Sequence, residues 1–293
     1  MILVTGATGA LGALIAERLA DRDDTVLGTR DPRRSHRLPV RRVDFDEPGT
    51  LGEGFAGVDV LLLISAGYGE DDTVTARHGA AIDAAEKAGV GHVVYTSLTA
   101  DGDHLPYALP HRWTERRLQE STMDWTILRN GLYAELLGGL AAPSADGRIT
   151  APLGEGRLAA VARADLADAA ARVTVEAPAH AGRIHELVGE QAVGGADLAR
   201  AYGPHVTYEP ETLSRTRARI AASGAEPFQV PMLVGTYSAI AAGFMSRTGG
   251  DLRQLLGRAP HSALTASLAQ PAVRRMTARG ARSAPDGGEE SEA

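Results

Sequence analysis

The chain has 293 residues, of which 44% are hydrophobic, so it can fold as one large domain or two small ones. Its formal net charge of -7 argues against a nucleic-acid-binding function, because phosphate binding relies on a positive surface. Cysteine is absent, which excludes disulfides, thiolate metal sites and a cysteine nucleophile.

Six hydrophobic segments in the first part of the chain are predicted to be β-strands: 2–5, 25–29, 40–44, 58–65, 92–97 and 125–129. The segment VDVLLLIS at 58–65 is almost entirely apolar, which is typical of a parallel strand covered by helices on both faces. Helical patterns separate the strands. The alternation predicts an α/β fold, a Rossmann-like doubly wound parallel sheet.

A glycine-rich turn, GATGALG, follows the first predicted strand and opens the first predicted helix. Its Gly6, Gly9 and Gly12 are three residues apart, and glycine there permits a tight turn and close approach of the backbone to a pyrophosphate. The spacing alone also fits a plain corner between a strand and a helix. The strand before it and the helix after it favour a dinucleotide-binding turn.

Arginines, rather than an acidic residue, follow the second predicted strand. Arg30 is the first charged residue, and Arg33, Arg34 and Arg37 come after it. A guanidinium suits the 2′-phosphate of NADP, whereas NAD sites place a carboxylate here. We therefore expect NADPH as the cofactor with Arg30 on its phosphate, while Asp31 keeps NADH possible. A solvated basic loop is the alternative for these arginines, and it is favoured for Arg34 and Arg37 but not for Arg30.

The pattern becomes less regular after residue 130. A helix is predicted from 163 to about 176, and strands at 183–189 and 206–210 either extend the sheet or form a second unit. The charge-free segment 227–246 is too polar for a membrane span and is predicted to be a buried or pocket-covering helix. We expect an NAD(P)-binding Rossmann domain at 1–135, a smaller C-terminal α+β substrate-binding region at 136–269 packed on it, and a disordered tail at 270–293.

Several segments together resemble the NmrA-like group of atypical short-chain dehydrogenase/reductases, and within it the type 2 NAD(P)H:quinone oxidoreductases. The segments are ILVTGATGALG, VDFDEP, VDVLLLIS, AIDAAEKAGVGHVVYTSL, HRWTE, DWTILRNGLYAE and ARADLADAAARV. They cover roughly residues 1–190, and a weaker similarity continues to about 268. The resemblance implies a reductase that uses NAD(P)H and acts on quinones.

The resemblance also implies a cofactor site along the carboxyl ends of the strands, where an open parallel sheet forms its ligand crevice. The residues expected there are Gly6, Thr8, Gly9, Ala10, Leu11 and Gly12 for the pyrophosphate, Arg30, Asp44 and Phe45 for the adenosine, and Ile64, Ser65, Ala66, Tyr95, Thr96 and Ser97 for the nicotinamide ribose. A helix cap is an equal alternative for Asp44, and core packing is one for Tyr95.

Ordinary short-chain dehydrogenases use a tyrosine with a lysine four residues later. The segment YALPH instead supplies Tyr107 and His111, and the resembling reductases likewise carry a histidine at the second position. Pro106 and Pro110 argue against Tyr107 and His111 lying one turn apart on a regular helix. We name both as candidate catalytic residues, with a cap on the RWTERRLQ helix as the alternative for His111. His78, also matched by a histidine in the relatives, is predicted to be structural.

The substrate side is expected to include Asn130, Tyr133 and Leu136 after the sixth strand, with Phe228 and Met232 from the charge-free segment as a roof. The resembling reductases carry an asparagine implicated in quinone contact where this chain has Leu136. This departure weakens the assignment of quinone and predicts a bulkier or more hydrophobic acceptor.

Two functions stay open at this point. One is a NAD(P)H-dependent oxidoreductase that transfers hydride to a quinone or a similar electron-poor conjugated acceptor. The other is a non-catalytic NADP-binding redox sensor of the NmrA type, which the absent tyrosine–lysine pair favours. We expect a cytoplasmic protein with a small aromatic or quinone substrate, no metal, no nucleic-acid or membrane partner, and a possible homodimer.

Overall fold

The computed structural model describes residues 1–33, 37–66 and 68–269. Arg34 and the predicted disordered tail at 270–293 lie outside the described residues. The strands are β1 (Ile2–Val4), β2 (Thr25–Thr29), β3 (Val40–Arg42), β4 (Val60–Ile64), β5 (His92–Leu98), β6 (Asp124–Asn130), β7 (Arg148–Ala151), β8 (Arg157–Leu158), β9 (Arg183–Leu187), β10 (Val193–Gly194) and β11 (Thr207–Pro210).

The described α-helices are α1 (Ala10–Arg18), α2 (Leu51–Phe55), α3 (Asp71–Ala88), α4 (Ala108–Gln119), α5 (Ala134–Leu140), α6 (Arg163–Val175), α7 (Gly195–Tyr202), α8 (Leu213–Ala222), α9 (Gln229–Ala241), α10 (Asp251–Leu256) and α11 (Ala263–Leu268). Short 3₁₀ turns precede α2 and α4 and follow α6. Within the described ranges, no helix is long and apolar enough to cross a membrane.

Seven parallel strands form the central sheet in the order β3-β2-β1-β4-β5-β6-β9. This is the predicted doubly wound arrangement, and every predicted strand is present with its ends shifted by no more than two residues. The chain reverses its direction of winding between β1 and β4. Connections therefore diverge at the carboxyl ends of these two strands and leave a crevice there.

Helices cover both faces of the sheet, as the apolar character of β4 predicts. One core lies between the sheet and helices α1, α6 and α10, and a second lies between the sheet and helices α2, α3 and α4. Because both faces are buried, the strand interiors carry leucine and valine on each side, and Leu61, Leu62 and Leu63 are all completely buried.

The chain after residue 135 contributes to both parts of the molecule. Strand β9 extends the central sheet beside β6, whereas β7 pairs with β11 and β8 pairs with β10 in two small separate sheets. A third core joins these small sheets to α5, α7 and α9. Both options left open for the segments at 183–189 and 206–210 are therefore realised.

Helix α4 begins earlier than predicted. Its first residue is Ala108, four residues before the RWTERRLQ segment. Pro110 is the third residue of the helix, where the missing N–H would have no partner within the helix in any case. His111 thus lies inside the first turn, while Tyr107 is the non-helical residue that precedes it.

A buried carboxylate holds α4 against the sheet. Glu115 is 4% exposed and accepts hydrogen bonds from Ser97 Oγ (2.5 Å) and Arg112 Nη1 (2.8 Å). Arg129 on β6 donates to both carboxylate oxygens, at 3.0 and 2.6 Å. Arg112 also donates to the Leu98 carbonyl oxygen at the end of β5 (2.9 Å). These bonds fix the first two turns of α4 over the ends of β5 and β6.

We expect replacement of Glu115 by alanine to lower the free energy of unfolding by about 3 kcal/mol, because two arginines lose their buried partner. Urea unfolding followed by circular dichroism measures the change. Glu120→Ala is the matched control, since Glu120, directly after α4, forms an exposed pair with Arg116 and its loss should cost less than about 0.5 kcal/mol. Equal losses in the two variants would contradict this role.

Candidate active site

The glycine turn has the close packing that a phosphate-binding turn requires. Gly6 has a φ of +60°, and its carbonyl oxygen accepts a hydrogen bond from the N–H of Gly9 (2.9 Å). A Cβ built on Gly12 would lie 2.2 Å from the same carbonyl oxygen, so no side chain fits there. Helix α1 begins after Gly9 without a side-chain cap. Its first N–H groups and partial positive charge are directed at the crevice.

The other predicted residues of this turn differ in exposure. Thr8, Gly9 and Ala10 are exposed at the turn, whereas Leu11 is buried against the core of α1. Leu11 can therefore contribute its backbone N–H to a ligand, while its side chain packs inside the protein.

The arginines after β2 do not have the same environment. Arg33 pairs with Asp31 (2.8 Å) and Arg37 pairs with Asp21 (2.5 Å). Arg30 is exposed and has no ion-pair or hydrogen-bond partner among the described residues. Of these three cations, Arg30 is therefore the one left available to a phosphate.

The turn after β3 is ordered by its own side chains. Asp44 Oδ1 accepts a hydrogen bond from the N–H of Asp46 (3.0 Å), and the Asp44 N–H donates to Thr50 Oγ1 (3.0 Å). Phe45 is half-buried against the core beneath this turn. Asp44 thus closes the turn before the 3₁₀ segment, a role close to the cap considered as its alternative.

Arg77 of α3 joins two sides of the crevice, and the sequence did not single it out. Its Nε donates to Asp46 Oδ1 (2.7 Å) after β3, and its Nη1 donates to the carbonyl oxygen of Tyr68 (2.7 Å) after β4. Asp46 is 31 residues away in the sequence, so no local pattern marks this residue.

Side chains of β5 and α3 hold the segment that follows β4. Ile64 approaches Gly6, and its Cβ lies 3.5 Å from where a Gly6 Cβ would be. The N–H of Ser65 donates to Thr96 Oγ1 (3.0 Å), and the N–H of Ala66 donates to His78 Nε2 (3.0 Å). These bonds fix the backbone of the segment expected beside the nicotinamide ribose.

His78 is a buried structural residue, as expected. Its Nδ1 lies 2.8 Å from Thr114 Oγ1, whose hydroxyl donates to the Pro110 carbonyl oxygen (2.6 Å). Burial, with smaller contributions from His111 and Arg77, lowers the pKa of His78 to about 3. The ring is therefore neutral, with its proton on Nδ1 and its Nε2 accepting from the Ala66 N–H.

Tyr95 and Ser97 do not face the crevice, which corrects their expected position beside the ribose. Tyr95 is completely buried, and its hydroxyl lies 3.0 Å from His111 Nδ1. Ser97 is 4% exposed and donates to Glu115. Alternate residues of a strand point to opposite faces, and these two point toward α4. Thr96 points the other way and holds Ser65.

The two candidate catalytic residues have different partners. His111 is half-buried, and burial together with the charge of Arg112 lowers its pKa to about 4. Tyr107 lies 3.2 Å from Thr236 Oγ1 on α9, and burial raises the pKa of its hydroxyl. Tyr107 and His111 therefore do not form a pair. His111 contacts Tyr95 of β5, whereas Tyr107 contacts Thr236 of α9.

The predicted substrate-side residues begin at the end of β6. Asn130 is 7% exposed, and its Oδ1 has no hydrogen-bond partner among the residues described. The Tyr133 ring is half-buried and carries the guanidinium of Arg163 at 4.6 Å from its centroid. Leu136 is half-buried on α5. Arg163, the second residue of the segment ARADLADAAARV, was not predicted to belong to the site.

The charge-free segment forms α9, which lies against the residues before α4. A Cβ on Gly235 would be 2.2 Å from Pro106 Cγ, so glycine is needed for this contact. Phe228, directly before α9, makes an edge-to-face contact with Tyr68 at 5.1 Å between ring centroids. Met232 is half-buried one turn further on. The aromatic contact links the segment after β4 to the C-terminal region.

These residues fit an NAD(P) dinucleotide. Gly12 lets α1 begin in close contact with the Gly6 turn, Arg30 is an available cation, and Asn130 carries an unpaired buried amide oxygen. The turn follows β1, Arg30 follows β2 and Asn130 ends β6, so they lie along the same edge of the sheet on either side of the switch point.

Known proteins with similar sequences agree with this assignment. The model of the NAD(P)H-binding family matches residues 6–177. Quinone oxidoreductase 2 of Escherichia coli K12 is 37% identical over 223 residues, which cover 71% of this chain and 77% of that protein. The NAD(P)H azoreductase of Xenophilus azovorans is 30% identical over 238 residues, which cover 76% and 82%.

A solved structure has a similar fold throughout. The triphenylmethane reductase of Citrobacter sp., complexed with NADP(H), superposes with a TM-score of 0.83 at 29% identity, over 92% of this chain and 99% of that one. The matched family model covers more than half of the chain, and the relatives extend the match beyond it. The protein belongs to the NAD(P)H-binding family.

Proposed function

We propose that this protein is an NADPH-dependent reductase that transfers hydride to a quinone or a similar electron-poor conjugated acceptor. The observation that carries the proposal is the neutral His111, half-buried at the crevice edge and bonded to Tyr95, in place of a tyrosine–lysine pair. Quinones accept hydride without a strong general acid, because the aromatic product is stable. The similar proteins are named for a quinone, an azo group and a triphenylmethane, which are all conjugated acceptors.

The chain offers a separate group for each part of the cofactor. The glycine turn and the first N–H groups of α1 would hold the pyrophosphate, and Arg30 would hold the 2′-phosphate. The segment Ser65–Ala66, fixed by Thr96 and His78, would lie beside the nicotinamide ribose. When bound, the nicotinamide supplies the hydride. The protein's contribution is to position the acceptor and to exclude water.

His111 is proposed to hold a proton at Nε2. Tyr95 stays protonated because burial raises the pKa of its hydroxyl, so it can donate to His111 Nδ1. The remaining ring proton of the neutral imidazole then lies on Nε2 and can donate to an oxygen of the acceptor. Tyr95 is therefore a positioning residue that sets the tautomer of His111.

The proposed acceptor site has apolar walls. Leu136, Phe228 and Met232 are half-buried, and Tyr68 is 57% exposed beside Phe228. Flat aromatic rings stack favourably on such side chains, whereas a charged or sugar-like substrate would find few partners there. A bulky aromatic acceptor fits this lining better than a small polar one.

A cytoplasmic location and a homodimeric state belong to the same proposal. The lack of cysteine is compatible with a reducing compartment. Sedimentation equilibrium of the full chain tests the homodimer.

Steady-state oxidation of NADPH with a panel of quinones of increasing ring number tests the function. We expect turnover, with KM falling as the acceptor gains a second ring. A redox sensor of the NmrA type would bind NADPH without turnover. Nucleotide binding with no acceptor reduced across the panel would therefore refute the enzymatic proposal and favour the sensor.

We expect Arg30→Ala to weaken NADPH binding by about 10- to 100-fold, because one charge-assisted contact to the 2′-phosphate is lost. NADH, which lacks that phosphate, should bind within about twofold of wild type by the same estimate. Calorimetry measures both affinities. Arg37→Ala is the matched control, since Arg37 already pairs with Asp21. A variant of Arg30 that loses both nucleotides equally would contradict the assignment.

The lowered pKa of His111 sets the expected pH dependence. Because the group titrates near 4 rather than 6.5, the neutral imidazole is present at all higher pH values. We expect kcat to be constant from about pH 5.5 to 8 and to fall as the pH drops toward 4. A kcat that instead declines above about pH 6.5 would show that a protonated His111 is the active form. His111→Ala should remove the acidic limb.

A further inference from the structure

The side chain of Asn130, the last residue of β6, has an unpaired oxygen, and its backbone is held by neighbouring strands. Its carbonyl oxygen accepts from the N–H of Thr99 (2.9 Å), and the next N–H, of Gly131, donates to the Leu187 carbonyl oxygen (2.8 Å). Strand β6 is paired on both sides, by β5 and by β9. The backbone is thus fully bonded, whereas the side-chain Oδ1 is buried and has no partner in the described ranges. Buried amide oxygens are normally hydrogen-bonded, so Oδ1 of Asn130 is a candidate acceptor for an N–H or O–H group of a ligand.

The Asn130 side chain lies on the same face of the sheet as Ile64 and Thr96, which adjoin the segment expected beside the nicotinamide. The register pairs Ile64 with Thr96 and Thr96 with Leu128, and Asn130 is two residues beyond Leu128 on the same face. In strand order, Arg30 follows β2 on one side of the glycine turn, and Asn130 ends β6 on the other. An extended dinucleotide with its adenosine toward Arg30 therefore has its nicotinamide on the side of Asn130.

We propose that Asn130 binds the carboxamide group of the nicotinamide. A primary amide has one acceptor oxygen and one donor nitrogen, and so does the carboxamide, so two complementary N–H···O bonds can form. An oxidised quinone offers only acceptor oxygens. It could pair with the Asn130 nitrogen but would leave the buried Oδ1 without a donor. The proposal rests on the nucleotide part of the proposed function and does not depend on the acceptor.

Calorimetry of the full chain with NADPH and with its reduced 3-acetylpyridine analogue tests this pairing. In the analogue a methyl ketone replaces the carboxamide, which keeps the acceptor oxygen and removes the N–H donors. We expect wild type to bind NADPH about tenfold more tightly than the analogue, and Asn130→Ala to reduce this difference to less than about twofold. Asn130→Leu, which preserves the shape of the side chain, should behave like the alanine variant.

Adenosine 2′,5′-bisphosphate serves as the control ligand, because it contains the adenosine half alone. Both variants should bind it as wild type does, which shows that the fold and the Arg30 side are intact. Equal binding of NADPH and the analogue by wild type would overturn the proposal, as would a tenfold difference that persists in both variants. Variants with unchanged NADPH affinity and a raised KM for the quinone would show that Asn130 contacts the acceptor instead. Wild type that fails to bind the bisphosphate would refute the nucleotide site itself.

Discussion

The close approach of Gly12 to the carbonyl oxygen of Gly6 is the constraint on which the site depends. At a Cβ distance of 2.2 Å, no other residue permits α1 to begin so near the end of β1. This contact sets the direction of α1 and leaves its N-terminus open at the point where β1 and β4 diverge. The remainder of the crevice is arranged around that opening, because each later strand adds its carboxyl end to the same edge.

Buried polar side chains hold the loop, the helix and the histidine of the site that lie outside the strands. His78 and Thr96 hold the segment after β4, Glu115 holds α4, and Tyr95 holds His111. In each case a backbone group or a functional side chain is bonded to a residue that is itself buried on a strand or helix. Such support keeps the imidazole and the loop in place, and it explains why several polar residues near the crevice are buried.

The sequence predicted the sheet and the close-packed glycine turn, because apolar runs and glycine spacing are local signals. The charge after a strand singled out Arg30, whose contact with a phosphate stays a prediction. The start of α4 was predicted too late, because Pro110 was taken as a helix breaker although the first turn tolerates it. Tyr95 was expected at the ribose because residues at strand ends usually line the crevice. Its side of the strand depends on register with neighbouring strands, and the sequence alone does not give that register.

Arg77, Arg163 and Tyr68 escaped prediction for a related reason. Each acquires its role from a partner far away in the chain: Asp46, the ring of Tyr133 and the ring of Phe228. Local patterns carry no information about such contacts. The unpaired oxygen of Asn130 is likewise visible only after all its neighbours have been placed, although its position after the sixth strand was predicted to belong to the site.

An anaerobic single-turnover experiment tests whether bound NADPH transfers hydride to a quinone. The protein is loaded with one equivalent of NADPH, either unlabelled or deuterated at one C4 position, and is mixed with a two-ring quinone. We expect the nicotinamide absorbance to fall as an equal amount of quinone is reduced, and deuterium at one of the two C4 positions to slow the step. Bound NADPH that stays reduced in the presence of the quinone would contradict this expectation.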